Sequence, residues 1–159
     1  MTFDLGEDVN VLRDIVQRWA QDRLRPMADK IDRENNFPAE LWPEMGSLGL
    51  LGITVPTEHG GAGMGYLAHA VAIEEIARAS ASVALSYGAH SNLCVNQINL
   101  NGTPEQKARH LREIASGEKR WCQGYSEPGA GSDLASLKTR AEDKGDHFVI
   151  NGSKIWTSG

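Results

Sequence analysis

Cysteine is scarce in this sequence. Its 159 residues include two, Cys94 and Cys122, which lie far apart. Their separation matches neither a disulfide scaffold nor a zinc site, and it favours a reducing compartment. The histidines form no metal-ligand spacing with each other or with cysteine; they are His59, His69, His90, His110 and His147. We therefore expect no metal centre and interpret the histidines as surface or hydrogen-bonded core residues.

Positive charge is also limited. The net charge is -5, which argues against a nucleic-acid-binding protein, because neutralising phosphates requires clustered Lys and Arg. The first residues, MTFDLGEDVN, are acidic and contain no basic n-region. They match neither a secretory signal nor an Arg-rich transit peptide, so we expect the mature chain to begin here.

Charged residues are missing altogether from Ser80 to Asn101. A membrane span could look like this, but the stretch is rich in Ser, Asn, Gln and His, which are costly to bury in lipid. We therefore predict no membrane span. We predict a helix that is packed on several sides at the centre of a helical bundle.

The composition is otherwise that of an ordinary globular chain, with 40% apolar and 23% charged residues, and its length suits one domain or one domain plus part of a second. Apolar residues at three- and four-residue intervals predict that the first part of the chain is all-helical. The predicted helices are Asp4–Ile31 with a bend near Pro26, a short helix within FPAELWPEMGSLGL, Tyr66–Ala79, Ser82–Leu100, and one that starts with the capping sequence TPEQ (103–106) and ends near Gly117.

The character of the sequence changes after Gly117. Four short segments are typical of strands: RWCQGY, LKTRAE, HFVI and KIWTS. DKGD (143–146) before HFVI and an Asn151-Gly152 turn after it predict hairpins. The predicted fold class is therefore mainly α, an N-terminal helical bundle followed by the start of an antiparallel β domain. So few strands cannot close a core, and we expect the chain to be a fragment or a shortened version of a larger protein.

Two glycine-rich segments are candidates for binding. SEPGAGSD (126–133) offers a run of backbone N–H groups and two serine hydroxyls, and its position between the helical and β parts favours a ligand site. It could seat a flavin, a phosphate or a thioester, or it could be a plain connecting loop. HGGAGMG (59–65) resembles an oxyanion loop or a dinucleotide fingerprint, but the chain lacks a G-x-S-x-G elbow and the third glycine, so we expect a structural or rim loop.

Glu74 and Glu75 lie on the predicted helix Tyr66–Ala79. A single glutamate on a helix is usually solvated, and we expect that here.

SEPGAGSD, followed by NGSKIW, resembles the flavin-binding signature of the acyl-CoA dehydrogenase family. The front section, FPAELWPEMGSLGLLGITVP with GGAGMGYLAH and SYGAHSNLCVNQI, resembles the isovaleryl-CoA branch of that family. The resemblance covers essentially the whole chain. It implies an N-terminal helical domain at residues 1–118 and the beginning of the middle β domain at 119–159. The family's C-terminal four-helix domain, which carries much of its tetramer interface, is absent from these residues.

The resemblance also implies a set of binding residues. Ser126 stands where the family has a hydroxyl that bonds the isoalloxazine, Ser132 would also touch the acyl-CoA, Trp156 would pack on the flavin, and Ser158 replaces a flavin-bonding Thr. Leu85 and Ala89 resemble positions that shape the acyl pocket. The full set implied for FAD is Gln123, Gly124, Tyr125, Ser126, Glu127, Pro128, Gly129, Ala130, Gly131, Ser132, Trp156, Thr157 and Ser158.

What the resemblance implies for activity is FAD-dependent α,β-dehydrogenation of a short or branched acyl-CoA. In the family a glutamate base removes the α-proton while the β-hydrogen leaves as hydride to the flavin. That glutamate lies outside this chain, so no catalytic residue is assigned, and Glu127 is interpreted as structural. Electron-transferring flavoprotein as acceptor, a homotetramer, and a bacterial cytoplasm or mitochondrial matrix location are also implied. We expect the chain alone to be inactive.

The sequence leaves other interpretations of the chain's function open. After Glu118 the sequence is more similar to other bacterial members of the family, because Trp-Thr-Ser replaces Trp-Ile-Thr and Gly129 replaces the Asn typical of the isovaleryl branch. An engineered chimera, or a non-catalytic helical binding or folding fragment, is therefore the alternative to an enzyme. A hydrolase built on HGGA is a more distant one.

Overall fold

The computed structural model describes residues 4–157. The chain divides into two compact units, and the division falls between Trp121 and Cys122. The first unit is helical and the second contains the two strands. Each unit is described by itself.

The helical unit contains seven α-helices among its described residues, with short π and 3-10 segments between them. The α-helices are α1 (Glu7–Trp19), α2 (Ala28–Glu34), α3 (Leu41–Ser47), α4 (Gly65–Ala79), α5 (Ala81–Gly88), α6 (Gln97–Asn101) and α7 (Pro104–Ala115). The π segments are Ala20–Leu24 and Ala89–Asn96, and the 3-10 turns are Arg25–Met27 and Thr57–His59. The predicted all-helical character of this part is confirmed.

The predicted bend near Pro26 takes the form of two irregular segments between α1 and α2. Proline cannot donate the backbone hydrogen bond that an α-helix interior requires. Pro26 lies in the 3-10 turn, directly after the π segment. The helix then continues to Asn35, whose left-handed conformation (φ 47°) ends α2.

The TPEQ sequence (103–106) caps the N-terminus of α7, as predicted. The Thr103 backbone N–H donates to Gln106 Oε1 at 2.8 Å, and the Gln106 N–H donates to Thr103 Oγ1 at 3.3 Å. This reciprocal pair is a capping box. Pro104 occupies the first turn, where its missing N–H costs nothing.

The uncharged segment forms α5, the second π segment and α6, and it packs on several sides as predicted. Its buried side chains include polar ones as well as apolar ones. Tyr87 is fully buried and donates from its hydroxyl to the Leu50 carbonyl at 3.2 Å. No helix among residues 4–157 is both long and apolar enough to cross a membrane.

A close contact joins α3 to the end of α7. A Cβ atom at Gly46 would collide with the backbone carbonyl of Ser116. Only glycine permits this approach without a shift of one backbone. Gly117, with φ +78°, follows directly and turns the chain away from α7.

The second unit contains one 3-10 turn (Leu134–Ser136) and a two-stranded antiparallel sheet of β1 (Arg140–Asp143) and β2 (Phe148–Asn151). Arg140 pairs with Asn151, and Asp143 pairs with Phe148. Gly145, with φ +93°, turns the chain between the strands, and Lys144 N–H donates to the His147 carbonyl at 2.9 Å.

The β predictions were partly wrong. LKTRAE and HFVI overlap β1 and β2, but RWCQGY and the described part of KIWTS form no continuous strand. Residues 125–126 and 154–155 are joined instead by a single backbone bond, from Ile155 N–H to the Ser126 carbonyl (3.0 Å), and by a lysine side chain. The hairpin predicted at DKGD (143–146) before HFVI is confirmed, since the turn lies at 144–147. Asn151 and Gly152 form no turn, because Asn151 ends β2.

Candidate functional site

The SEPGAGSD segment begins with a closed two-residue turn. Glu127 N–H donates to the Ala130 carbonyl at 2.8 Å, and Ala130 N–H donates to the Glu127 carbonyl at 3.0 Å. Pro128 and Gly129 occupy the two corner positions, and both are exposed. The N–H groups of Glu127 and Ala130 are therefore committed to the turn. The expected run of free donors is interrupted at these two predicted cofactor-binding residues.

The Glu127 side chain binds three donors although it is only 7% exposed. Lys138 N–H donates to Oε2 at 2.8 Å, and Thr139 N–H donates to Oε1 at 2.9 Å. Lys154 Nζ lies 3.0 Å from Oε1. The nearby Thr139 side chain, the Lys138 and Thr139 backbone N–H groups and the Lys154 ammonium lower the pKa of Glu127 from 4.5 to about 2.

The structure brings the two sequence motifs together. Lys154, from NGSKIW, donates through Nζ both to Glu127 and to the Tyr125 carbonyl at 3.0 Å. Ile155 N–H donates to the Ser126 carbonyl at 3.0 Å. Three consecutive residues of the first motif region, 125–127, are thus bonded to two consecutive residues of the second. Their pairing along the sequence has a direct physical basis.

Gly129 and Gly131 are not required by the fold of the described residues. Neither has positive φ, and a Cβ atom at either would meet nothing within 4 Å. Glycine costs conformational entropy, about 0.5–1 kcal/mol relative to alanine, where its freedom is not used. Ser132, the next residue, is also exposed. This side of the loop is open and could accept a close-lying neighbour from outside the described residues.

Among residues 4–157, Trp156 is the most exposed large hydrophobic residue, with 82% of its surface accessible. Its φ of 58° lies in the left-handed region, which bulky residues seldom adopt. A large, exposed and strained aromatic residue next to an open glycine loop is typical of a surface that another group covers.

The other predicted flavin-binding residues lie around these two features. Gln123 and Ser126 are half-buried, while Gly124, Tyr125 and Thr157 are exposed. Ser158 lies outside the described residues.

A pocket of about 260 Å³ lies on the β unit beside the Glu127 turn. Its lining includes Pro128, Gly129, Ser136 and Gly152. Gly152 is required here, because a Cβ atom would collide with the Thr139 side chain. The pocket is mostly apolar in its walls and adds a concave surface to the candidate site.

The two residues predicted to shape an acyl pocket differ in solvent exposure. Leu85 is 67% exposed, whereas Ala89 is 5% exposed. The Ala89 backbone N–H donates to the Leu85 carbonyl, so the two residues lie one helical turn apart at the end of α5, as the prediction of a shared face assumed. They differ in burial, and their role in an acyl pocket stays a prediction.

Backbone N–H groups of the HGGAGMG loop are already hydrogen-bonded to the segment that precedes the loop. Gly61 donates to Pro56, Ala62 to Gly52, and Gly63 to Val55, all to backbone carbonyls at 2.9–3.2 Å. No oxyanion-type donors are left at these positions, and the interpretation as a structural loop is supported.

A serine–histidine pair that the sequence did not predict lies in the core. His69 Nε2 is 2.7 Å from Ser91 Oγ, and Ser91 Oγ donates to the Tyr87 carbonyl at 2.8 Å. Both residues are buried, and the serine proton is already used. Burial also lowers the pKa of His69. The pair is a core hydrogen-bond network, and it gives no support to a hydrolase.

Glu75 departs from the expectation of a solvated side chain. It is 3% exposed, whereas Glu74 is exposed and forms an ion pair with Arg78 at 2.7 Å. The signal was available: the buried residues Ala68, Ala72, Glu75 and Ala79 follow one another on one helix face at intervals of four, three and four residues. Among residues 4–157, no group of three or more His, Cys, Asp or Glu residues could hold a metal ion.

Comparisons with known proteins assign the chain to a family. Residues 6–118 match the family model "Acyl-CoA dehydrogenase, N-terminal domain" and residues 122–159 match "Acyl-CoA dehydrogenase, middle domain". The chain is 49% identical over 154 residues to a mitochondrial isovaleryl-CoA dehydrogenase of Pongo abelii, covering 96% of this chain and 36% of that protein.

Solved structures agree with this assignment. The structure of a glutaryl-coenzyme A dehydrogenase with glutaryl-CoA superposes with a TM-score of 0.91 at 37% identity, covering 99% of this chain and 40% of the other. An acyl-CoA dehydrogenase of Bacillus anthracis complexed with FAD gives 0.87 at 32% identity, covering 97% and 27%. The chain thus spans a little over a third of the isovaleryl-CoA dehydrogenase named above. On this evidence the chain belongs to the acyl-CoA dehydrogenase family.

Proposed function

We propose that this chain supplies part of the FAD and acyl-CoA site of an acyl-CoA dehydrogenase that acts on a short or branched acyl-CoA. The observation that carries the proposal is the pair Gly129 and Gly131, which neither backbone conformation nor packing within the described residues requires. A bound group lying against the loop accounts for both. The acyl-CoA dehydrogenase of Bacillus anthracis, which is complexed with FAD, supports the identity of that group.

The residues present fit a flavin. The open loop offers the backbone N–H groups of Gly129, Gly131 and Ser132, none of which is used in a backbone–backbone bond among the described residues. Ser126 adds a hydroxyl, and Trp156 adds an exposed indole. FAD, when bound, accepts the hydride that leaves the β-carbon of the acyl-CoA. The contribution of these residues is to bind and orient the ring, and Ser132 would also contact the substrate.

The substrate class rests on the relatives. The strong similarity to an isovaleryl-CoA dehydrogenase supports a short or branched acyl group. Leu85 and Ala89 remain proposed pocket residues, although the exposure of Leu85 means that it needs a neighbour from outside the described residues to form a pocket wall.

The domain assignment, residues 1–118 helical and 119–159 the beginning of the middle domain, belongs to the same proposal. So do electron-transferring flavoprotein as electron acceptor, the homotetramer, and a mitochondrial matrix or bacterial cytoplasmic location.

The test is to purify the native polypeptide that contains residues 1–159 and to measure its flavin content and acyl-CoA oxidation. We expect visible flavin absorbance and faster reduction by isovaleryl-CoA than by a long straight-chain acyl-CoA. A colourless protein that ignores added FAD would contradict the proposal and favour a non-catalytic helical module.

A further inference from the structure

We propose that Glu127 and Lys154 are positioning residues for the flavin site. Their ion pair holds the 126–132 loop against the 154–157 segment, so that Ser126 and Trp156 are presented to the ring as one surface. The inference rests on the proposed function, which supplies the ligand.

The first step is the placement of the pair. The two charges are 3.0 Å apart, and the side chains are 28% exposed for Lys154 and 7% for Glu127. A pair this sheltered differs from a surface salt bridge, because removing one partner leaves the other charge poorly solvated. Breaking the Glu127–Lys154 pair therefore destabilises the structure locally, where the 126–132 loop meets the 154–157 segment.

The second step is the number of constraints on the loop. Glu127 is tied through its backbone to Ala130 and through its side chain to Lys138 and Thr139. The turn is thereby tied to the two residues that directly precede β1. Lys154 attaches the second motif to the turn.

The third step is the position of Ser126 between the two lysine contacts. Lys154 Nζ bonds Tyr125 on one side and Glu127 on the other, while Ile155 N–H bonds the carbonyl of Ser126 itself. Trp156 follows Ile155 directly. Loss of the ammonium group removes the bonds to Tyr125 and Glu127 and leaves the Ile155 N–H bond to the Ser126 carbonyl. The serine hydroxyl and the indole are then held relative to each other less tightly, although neither side chain is changed.

The test compares FAD binding by the wild-type protein, Lys154→Met and Lys154→Arg, each in the native polypeptide that contains residues 1–159. Methionine keeps an unbranched apolar stem and removes the charge, whereas arginine keeps the charge and can restore the contact. We expect Lys154→Met to raise the Kd for FAD on the order of tenfold, since a lost sheltered ion pair is a large perturbation. We expect Lys154→Arg to recover most of the affinity.

A second readout separates positioning from general stability. At saturating FAD, the visible circular dichroism of the bound flavin should differ between Lys154→Met and wild type, while the urea midpoint of the helical unit stays the same. The matched control is Lys144→Met, which breaks the exposed pair Lys144–Glu142 (2.9 Å) in the β unit, where Lys154 also lies, and should change neither reading.

The outcomes are distinguishable. If the wild-type protein does not bind FAD, the proposed function fails. If it binds FAD and Lys154→Met binds equally tightly with an unchanged flavin spectrum, the positioning role is overturned. Should Lys154→Met fail to fold, Glu127→Gln, which keeps the shape of the side chain, gives the same two measurements, and unchanged affinity and spectrum there would overturn the inference as well.

Discussion

The backbone N–H of Trp121 donates a hydrogen bond to Nδ1 of the fully buried His90 at 3.3 Å. Nδ1 also lies 3.4 Å from the Trp121 carbonyl oxygen, and Nε2 lies 2.9 Å from the Ile114 carbonyl oxygen. The His90 imidazole therefore joins the second π segment to the end of α7 and to the last residue of the helical unit.

Replacing His90 with leucine should destabilise the helical unit. The substitution leaves the Trp121 N–H and the Ile114 carbonyl without their buried partner, and we expect a loss of about 2–4 kcal/mol in the free energy of unfolding. Urea unfolding followed by circular dichroism measures it. The half-buried His59 makes a matched control, since His59→Leu removes no buried hydrogen bond among the described residues. An equal effect of the two substitutions would contradict the role given to His90.

The Glu127 carboxylate should make the β unit sensitive to acid. Its pKa is lowered from 4.5 to about 2 in the folded protein, so its stabilising contribution is complete above pH 4.5 and is lost as the pH falls toward 2. Hydrogen exchange of the Lys138 and Thr139 amides, which donate to this carboxylate, should accelerate relative to other β-unit amides over that range. In Glu127→Gln the relative exchange should no longer depend on pH. A wild-type protein with the same flat profile would rule out this assignment.

Gly46→Ala should destabilise the protein even though alanine is the better helix former. Its Cβ would collide with the Ser116 carbonyl, and overpacking of this kind costs about 1–3 kcal/mol, more than the gain in helix propensity. Thermal or urea unfolding checks the change. Gly129→Ala is the informative comparison, because its Cβ meets nothing; it should leave stability nearly unchanged while weakening FAD binding.

Ser132→Leu should weaken both flavin retention and acyl-CoA binding without destabilising the protein. Ser132 is exposed, so the larger side chain meets no core, but it would enter the space proposed for the ligands. Flavin content after gel filtration and the Kd for acyl-CoA are the measurements. Ala135→Leu, a similar enlargement at another exposed position of the same unit, serves as the control. Full flavin content in Ser132→Leu would count against the placement of the ligands.

The helices were predictable from sequence because each carries a local signal. Thr103 and Gln106 are three residues apart and cap the same turn, and Pro26 disturbs the helix in which it lies. The strand predicted at RWCQGY, before SEPGAGSD, was wrong, whereas LKTRAE, after it, overlaps β1. Strand-like composition also reflects contacts with other segments and does not by itself secure a ladder.

The hydrogen bonds to Glu127 at the centre of the candidate site could not be predicted from neighbouring residues either. The donors to Glu127 come from residues that are 11, 12 and 27 positions away. The motif indicated that Glu127 is structural, but only the fold shows what it holds. Glu75 is the opposite case, because its position in the helical period already indicated burial, and the general preference of glutamate for solvent led to the wrong expectation.

The hairpin has a consequence for the behaviour of the protein in solution. Its two strands differ in character: β1 reads Arg-Ala-Glu-Asp and β2 reads Phe-Val-Ile-Asn, and all eight side chains are exposed. Charges protect an unpaired strand edge from association, whereas apolar, uncharged edges invite it. An incoming strand would therefore add to β2 and not to β1. Self-association through the β2 edge should determine the highest concentration at which the isolated chain stays monodisperse.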